Sequence, residues 1–465
     1  MTSEFRRSFK LKAKRQFKPH SKQHHFGSKS KISIAHLTAS GIWSKHNRAL
    51  SWYNSWLALQ FVNLPSDLFG IFPPPKENCD EENESEDYWQ PFVSTFLRIE
   101  DLITSSDSIT IDQIIALLKD EGLLRADGTE GDNDERNYHY ARYFVFCVLG
   151  WQTMLFTPTP KGSSNGILGA ETPQLAIDET DGCCGYTHMS LQQDRRGCSN
   201  EPLSEFLMGF GVLLPSKSLC LDEDPNIQHA FHKQTEVHAR TFNAYSLSAV
   251  AGLRIKWVDA LACHLEFNST TKEISLFRFP SFCQSLLLEY TKGRRRNVIH
   301  ACATTSSSRS YWATEEEVNQ LLVEILLSYR LLFGQTRKSR SLFRSSLNPF
   351  IKNHFVKKVA YDVNVRDPIL SALCGTKDSF DSILSGLVEK DLYHLPRDFP
   401  ILRYRISVLQ RYLSITTPRT WLQLWRDNRD SAGWLTFWAV IAFGVFGSVM
   451  AFLQVVLQFV QIIQQ

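Results

Sequence analysis

The chain has 465 residues, of which 43% are hydrophobic and 12% aromatic, so it has enough apolar side chains for a folded core and is not a disordered protein. Its net charge of +3 averages two opposed parts. Residues 1–48 contain twelve Lys or Arg and one acidic residue, Glu4, for a net charge of +11, which leaves −8 for the remainder. The ten scattered cysteines exclude a dense disulfide framework and indicate mostly reduced thiols in a cytosolic domain.

Residues 1–48 are predicted to form a basic, disordered arm. No apolar segment follows its cations, which argues against a secretory signal. A basic tail of this kind is typical of a segment that binds acidic lipid or nucleic acid. We favour anionic lipid as the partner, because nucleic acid would require residence at the nuclear membrane. A mitochondrial presequence and a nuclear-localisation patch stay open as alternatives.

Residues 49–415 are predicted to form a mainly helical cytosolic domain. It includes an acidic loop at 73–88, which three prolines open, and a loop-rich stretch at 157–202. Apolar positions at helical spacing predict a helix over 106–124. The apolar run 143–156 is only 14 residues long, which fits a buried helix better than a membrane span.

The hydrophobic period changes at about 252–280, where it predicts a small antiparallel β insert. The stretches LRIKWVDAL, LACHLEF and EISLFRF alternate apolar and polar residues, and NSTTKE lies between the last two as a turn.

Helical periodicity returns over 314–334 and again over 398–413. At the start of the first segment, Thr314 and Glu317 have the spacing of a capping box.

The segment HAFHKQTEVH contains the best metal-ligand candidates. His229, His232 and Glu236 would share one face if the segment were a continuous helix, and imidazole with carboxylate is a suitable zinc set. The favoured alternative is a polar helix face with solvated histidines. A second candidate zinc set consists of Cys183, Cys184, His188 and Cys198.

The sequence contains no nucleophile elbow, Walker A motif or dinucleotide fingerprint. We therefore predict no catalytic residue and no cofactor.

The C-terminal stretch from Trp434 to Val460 has 27 residues and no charge. As a helix it would be about 40 Å long, against ~30 Å for a bilayer hydrocarbon core. We predict a single transmembrane helix at 434–460, with a buried core helix as the alternative.

Tryptophan and arginine are concentrated at the start of this stretch, in an interfacial segment at 416–433. Indole rings favour the headgroup level, and positive residues stay on the cytoplasmic side. This pattern predicts a tail-anchored, single-pass topology with residues 1–430 in the cytosol, and an uncharged far end favours the ER or another endomembrane. The predicted anchor residues are Trp421, Trp425, Arg426, Arg429, Trp434 and Trp438.

The predicted span also has a stripe of small and amide residues. Such residues let helices approach closely and hydrogen-bond to one another. They predict self-association or pairing with another membrane helix; the alternative is that the glutamines lie near the far interface. The stripe consists of Gly444, Ser448, Ala451, Gln454 and Gln458.

Three stretches of the chain carry a resemblance to a known family. They are ERNYHYARYFVFCVLGWQTMLFTP, the segment from FNAYSLSAVAGLRIKW to LFRFPSFC, and PRTWLQLWRDNRDSAGWLTFW with the span that follows it. Together they resemble a large family of membrane-anchored proteins of filamentous fungi. The resemblance covers residues from about 130 to the end. It implies a helical cytosolic domain with a small strand insert and one C-terminal span. It implies no activity, cofactor or catalytic residue.

These patterns favour a membrane-anchored binding or scaffolding protein. The alternative is an enzyme or accessory enzyme of a membrane-associated pathway, such as secondary metabolism, with His229, His232 and Glu236 as its metal set.

Overall fold

Helices dominate the structure, a computed structural model. It describes residues 51–62, 64–73, 90–125, 131–158, 161–162, 173–176, 192–193, 198–209, 225–291, 297–303, 313–350, 366–375, 390–416 and 431–464. Of these residues, 69% are helical, which confirms the mainly α fold class. The predicted arm at 1–48 and most of the acidic loop and the interfacial segment lie outside the described residues.

The helices fall into three groups along the chain. The first group is α1 (Ser51–Val62), α2 (Gln90–Ser105), α3 (Ile111–Asp120), α4 (Gly131–Thr153), α5 (Leu203–Gly209) and α6 (Pro225–Lys233). The second is α7 (Pro280–Thr291), α8 (Val298–Ala303), α9 (Glu315–Tyr329), α10 (Arg337–Leu342) and α11 (Leu370–Gly375). The last is α12 (Leu395–Asp398), α13 (Arg403–Ile415) and α14 (Ser431–Gln464).

Two of the predicted helices start at capping boxes. Thr314 accepts a hydrogen bond from the backbone N–H of Glu317, whose side chain accepts one from the Thr314 backbone, so the predicted box is confirmed. Thr110 and Gln113 make the same pair of bonds before α3. The reciprocal bonds satisfy two N–H groups that a helix start leaves open, which fixes where α3 and α9 begin.

Aromatic side chains of α1 form the centre of the core. Trp52 stacks on Phe279 with ring centroids 3.9 Å apart, and its Nε1 donates to Ser281 Oγ at 2.7 Å. The hydroxyl of Tyr53 donates to the carbonyl oxygen of Trp151 at 2.7 Å. These contacts join α1 to α4 and α7. Every residue of the apolar run 143–156 is buried, which confirms that this run is a core helix and not a span.

The predicted β insert is present as a small sheet of three strands, β5 (Arg254–Val258), β6 (Phe267–Asn268) and β7 (Glu273–Phe277). β6 and β7 form the predicted antiparallel hairpin, with Phe267 opposite Ile274. Its turn is held by Asn268 Oδ1, which accepts hydrogen bonds from the backbone N–H groups of Thr270 and Thr271, both at 3.0 Å. β5 runs parallel to β7, because β7 and not β6 takes the middle position in the sheet.

Two other small sheets are antiparallel. β4 (Glu236–His238) pairs with β8 (Leu392–His394), which are far apart in the chain. The third sheet consists of β1 (Lys161–Gly162), β2 (Pro173–Ala176) and β3 (Gln192–Gln193), within the predicted loop-rich stretch.

A buried histidine and an arginine tie α9 and α13 to the β insert. His264 Nδ1 accepts the backbone N–H of Phe277 at 3.2 Å, so its proton is assigned to Nε2, which lies 2.7 Å from Ser328 Oγ. Burial and, second, the nearby charge of Arg405 lower the pKa of His264 to about 3. Arg405 donates to the carbonyl oxygens of Ala262 and His264 at 2.7 and 2.5 Å. The neutral imidazole therefore joins α9 to the insert, and Arg405 holds α13 against it.

Glu100 in α2 gives the domain a predicted pH dependence. Burial, with the charges of Asp101 and Glu289, raises its pKa to about 7, above the value of about 4.3 for an unperturbed side chain. The folded state therefore binds more protons between pH 4.5 and 7, so stability falls as pH rises through this window. We expect Glu100→Gln to increase the free energy of unfolding by about 1–3 kcal/mol at pH 8 and to change it little at pH 4.

Urea unfolding of the full chain in detergent at both pH values measures this effect. Glu201→Gln, at an exposed position, is the matched control and should leave the pH dependence unchanged. Equal stabilisation by Glu100→Gln at both pH values would contradict the assignment.

Candidate membrane anchor and adjoining groove

α14 is a single helix of 34 residues, about 50 Å long at 1.5 Å per residue. Its stretch Leu435–Gln464 contains an 18-residue window with a mean hydropathy of 2.3, and none of that window is buried. Large side chains such as Phe443 and Ile463 are 76% and 77% exposed. This exposure excludes the alternative of a buried core helix. An apolar surface of this size marks a site for a membrane or a protein partner, and the helix is long and apolar enough to cross a bilayer.

The predicted anchor residues are only partly within the described residues. Trp434 and Trp438 lie one helical turn apart in the first part of α14, and the Trp438 ring contacts Phe437 edge to face at 6.0 Å. The other four, Trp421, Trp425, Arg426 and Arg429, lie outside the described residues. α14 begins three residues before the predicted span and continues to Gln464.

The predicted association stripe lies on an open face of α14. At 100° per residue, Gly444, Ser448, Ala451 and Gln458 fall within about 40° of a common line, whereas Gln454 lies about 80° from Gly444. Ser448 Oγ donates to the Gly444 carbonyl oxygen at 2.9 Å, so this hydroxyl is satisfied within the helix.

Gly447 lies next to this stripe on α14, although it is not among the residues predicted from the sequence. A Cβ at Gly444 or Gly447 would meet nothing within 4 Å. Gly447 and Ala451 repeat the small-xxx-small spacing of Gly444 and Ser448, which favours close helix approach. The four-residue spacing of Gly447 and Ala451 in the sequence is the signal that predicts Gly447 as part of the association face.

The structure does not bring the predicted metal set together. His229 and His232 are exposed on α6, which ends at Lys233. Glu236 lies in β4, where its carboxylate is 3.3 Å from Nδ1 of His394. The prediction of a continuous helix over this segment is therefore wrong, because residues Glu236–His238 are extended and pair with β8. Within the described part of the chain, no group of three His, Cys, Asp or Glu side chains is placed to hold a metal ion. Cys183, Cys184 and His188 of the second set lie outside it.

The described cysteines are of two kinds. Cys147, Cys283, Cys302 and Cys374 are buried and form no disulfide. Burial raises the pKa values of the Cys147, Cys283 and Cys374 thiols, which makes these three poor nucleophiles. Cys263 is disulfide-bonded, an exception among the mostly reduced thiols that the sequence predicts. Disulfides are typical of oxidising compartments, so this bond argues against the predicted cytosolic location of the domain.

An apolar groove lies where α13 meets α6 and the β insert, with a volume of about 200 Å³. On one wall, Phe231 and Tyr404 have ring centroids 6.3 Å apart. On the other, Phe267 and Tyr412 are 4.8 Å apart. Ile415, which is 67% exposed, closes the lining at the end of α13. The groove thus lies at the last described helix before the membrane anchor.

Arginine fixes α6 onto α13 at this groove. The guanidinium of Arg403 lies 4.2 Å from the ring centroid of Phe231. It also donates to the carbonyl oxygens of Phe231 and Gln234, at 3.0 and 3.3 Å. These carbonyls are at the C-terminal end of α6, where a cation is favourable, so Arg403 serves to hold the wall of the groove.

Ser407 and Arg411 also line the groove, and neither holds its walls together as Arg403 does. Ser407 is only 5% exposed, and its hydroxyl has no hydrogen-bond partner in the described structure. Arg411 lines the groove and is half-buried. A buried hydroxyl normally has a partner, so Ser407 marks a place where a ligand group could bind.

The fold and these features define a mainly helical protein with one C-terminal helix that could span a membrane. Comparison with family models, with curated proteins and with solved structures gives no match. The resemblance to the fungal membrane-anchored family therefore stays a prediction.

Proposed function

We propose that the protein is a tail-anchored membrane protein whose helical domain is a binding or scaffolding unit on the cytosolic side of an endomembrane. The observation that supports this most strongly is α14, whose uncharged apolar window is nowhere buried. In water this surface would be unfavourable at about 25 cal/mol per Å². A bilayer covers it without any further protein.

The charge distribution supports the cytosolic orientation. Arg419, Arg426 and Arg429 precede the span, whereas residues 461–465 contain no cation, in agreement with the preference of positive residues for the cytoplasmic side. The basic arm at 1–48 would add attraction to an anionic leaflet of about 1 kcal/mol per cation near the surface. The partner classes proposed are therefore membrane lipid, a second membrane helix, and anionic lipid at the arm.

The chain contains its own reporter of orientation. Asn268-Ser269-Thr270 is a glycosylation sequon, and its residues Ser269 and Thr270 are exposed in the β6–β7 turn. A second sequon appended after Gln465 reports on the other end. Asn83→Gln removes the remaining sequon of the N-terminal region.

In the proposed topology, the C-terminal tag is glycosylated in the ER and Asn268 is not. Endoglycosidase treatment of the full chain, with Asn268→Gln as the control, distinguishes the two sites. A glycan at Asn268 alone would indicate the reverse orientation, with the domain in the ER lumen, and would agree with the disulfide at Cys263. Glycan at neither site would contradict the ER location.

Helix association is expected to depend on the stripe of α14. We predict that Gly444→Leu with Gln458→Leu weakens dimerisation about tenfold, because close packing and an interhelical hydrogen bond contribute ~1–2 kcal/mol. Chemical crosslinking of the full chain in liposomes measures the dimer fraction. Ala442→Leu with Val456→Leu, which adds bulk on the opposite face, is the matched control. An unchanged dimer fraction in the stripe variant would contradict the association face.

A further inference from the structure

The groove beside α13 is close to the membrane if the proposed function is correct. Only residues 417–430 separate the last described residue of the domain from the start of α14. Fourteen residues span at most about 50 Å when fully extended. The end of α13 therefore lies within about 50 Å of the start of α14, which keeps the groove within reach of the bilayer when α14 is inserted.

The lining of the groove fits an apolar chain. Phe231, Phe267, Tyr412 and Ile415 supply its walls and its end. Its volume of about 200 Å³ is below the ~300–1,000 Å³ of typical drug-sized ligand sites. The groove thus has room for part of one acyl chain.

The charge at the groove fits an anionic headgroup. α13 contains three arginines and no acidic residue. Arg403 and Arg405 are engaged with backbone carbonyl oxygens. For Arg411, which lines the groove, no carboxylate of a described residue is within ion-pair distance. Its guanidinium is therefore available to a phosphate, whose geometry it matches.

We propose that this groove binds one acyl chain of an anionic phospholipid drawn from the bilayer that holds α14. The chain lies along Tyr404 and Val408 towards Ile415, the phosphate binds Arg411, and the hydroxyl of Ser407 offers a hydrogen bond to an ester oxygen. Such binding would fix the orientation of the domain relative to the membrane. The inference rests on the membrane anchoring proposed above.

The test uses the full chain reconstituted in phosphatidylcholine liposomes that contain a phosphatidic acid with a diazirine on its acyl chain. Irradiation followed by peptide mapping gives the label on α13, β6 and α6 and, separately, on α14. We expect label on both the groove and α14. With a phosphatidylcholine probe of the same acyl chain, the label in the groove should be several-fold lower, and Arg411→Gln should remove this difference.

Two neighbouring exposed residues supply matched variants. Ile415→Glu places a charge in the apolar lining and should reduce the label in the groove about tenfold, since an unpaired charge opposes an apolar chain. Ser414→Gln adds an uncharged side chain of similar size at an exposed position outside the lining and should leave the label unchanged.

The label on α14 separates the two proposals. Label on α14 but not in the groove would overturn the lipid site alone. Equal label in the groove of the wild type and of Ile415→Glu would do the same. A chain without label on α14 would overturn the membrane anchoring itself.

Discussion

Replacing Phe446 and Val449 by lysine should release the protein from membranes. Both residues lie near the middle of the candidate span Leu435–Gln464 and are 65% and 51% exposed. A lysine at the centre of a transmembrane helix costs about 2.5–3.5 kcal/mol, so two of them oppose insertion by about 5–7 kcal/mol. Both side chains are largely exposed in the described structure, so the fold of the helical domain should not change.

Alkaline carbonate extraction measures this effect, because it removes proteins held only by charge, including any held by the basic arm. The wild-type chain should stay in the membrane pellet, and the double-lysine variant should move to the supernatant. Leu435→Lys is the control, since a lysine at the helix end can extend its ammonium group to the interface. Retention of the double-lysine variant would mean that something other than α14 anchors the chain.

Local signals in the sequence were enough to predict much of this fold. The capping box at Thr314 and Glu317 fixed one helix start, because both partners lie within four residues of each other. The turn after Asn268 predicted the β6–β7 hairpin in the same way, because the residues that form it are neighbours in the sequence. The absence of charge over 434–460 predicted the exposed helix, since an uncharged stretch of that length has few other structural solutions.

Pairings between distant segments could not be predicted in this way. β4 pairs with β8 across about 150 residues, and no periodicity within either three-residue strand indicates its partner. This pairing ends α6 and removes Glu236 from the face of His229 and His232. The parallel pairing of β5 with β7 escaped prediction too, because alternation predicts a strand but not the direction of its neighbour.

The candidate lipid groove was equally invisible in the sequence. Its walls come from Phe231, Phe267 and the residues of α13, three elements that only the tertiary fold brings together. The unpartnered hydroxyl of Ser407 depends on what packs around it. A serine in an amphipathic helix gives no sign of that environment, so this part of the site required the structure.

A single buried carboxylate supports the helix that bears the groove. Glu324 of α9 is 0% exposed and accepts hydrogen bonds from the backbone N–H groups of Ile401 and Leu402, the latter at 2.6 Å. Leu402 is the N-cap of α13 and has no side-chain cap of its own. Glu324 therefore replaces the missing cap from another helix, at the end where a negative charge is favourable.

We expect Glu324→Ala to lower the free energy of unfolding by about 3 kcal/mol, because it leaves buried N–H groups without acceptors and removes charge-assisted hydrogen bonds. Glu324→Gln keeps the volume but offers one oxygen, so its loss should be smaller, about 1–2 kcal/mol. Urea unfolding of the full chain in detergent gives both values. Hydrogen exchange should show faster exchange in the first turn of α13.

Gln320→Ala is the matched control for this cap. Its side-chain amide donates to the same carboxylate at 3.1 Å, so its removal deletes one hydrogen bond to Glu324 and leaves the backbone acceptor in place. We expect a loss of about 1 kcal/mol or less, with exchange in α13 unchanged. If Glu324→Ala were no more destabilising than Gln320→Ala, the carboxylate would not be the cap of α13. Loosening α13 in Glu324→Ala should also reduce lipid labelling of the proposed groove, because α13 supplies most of its lining.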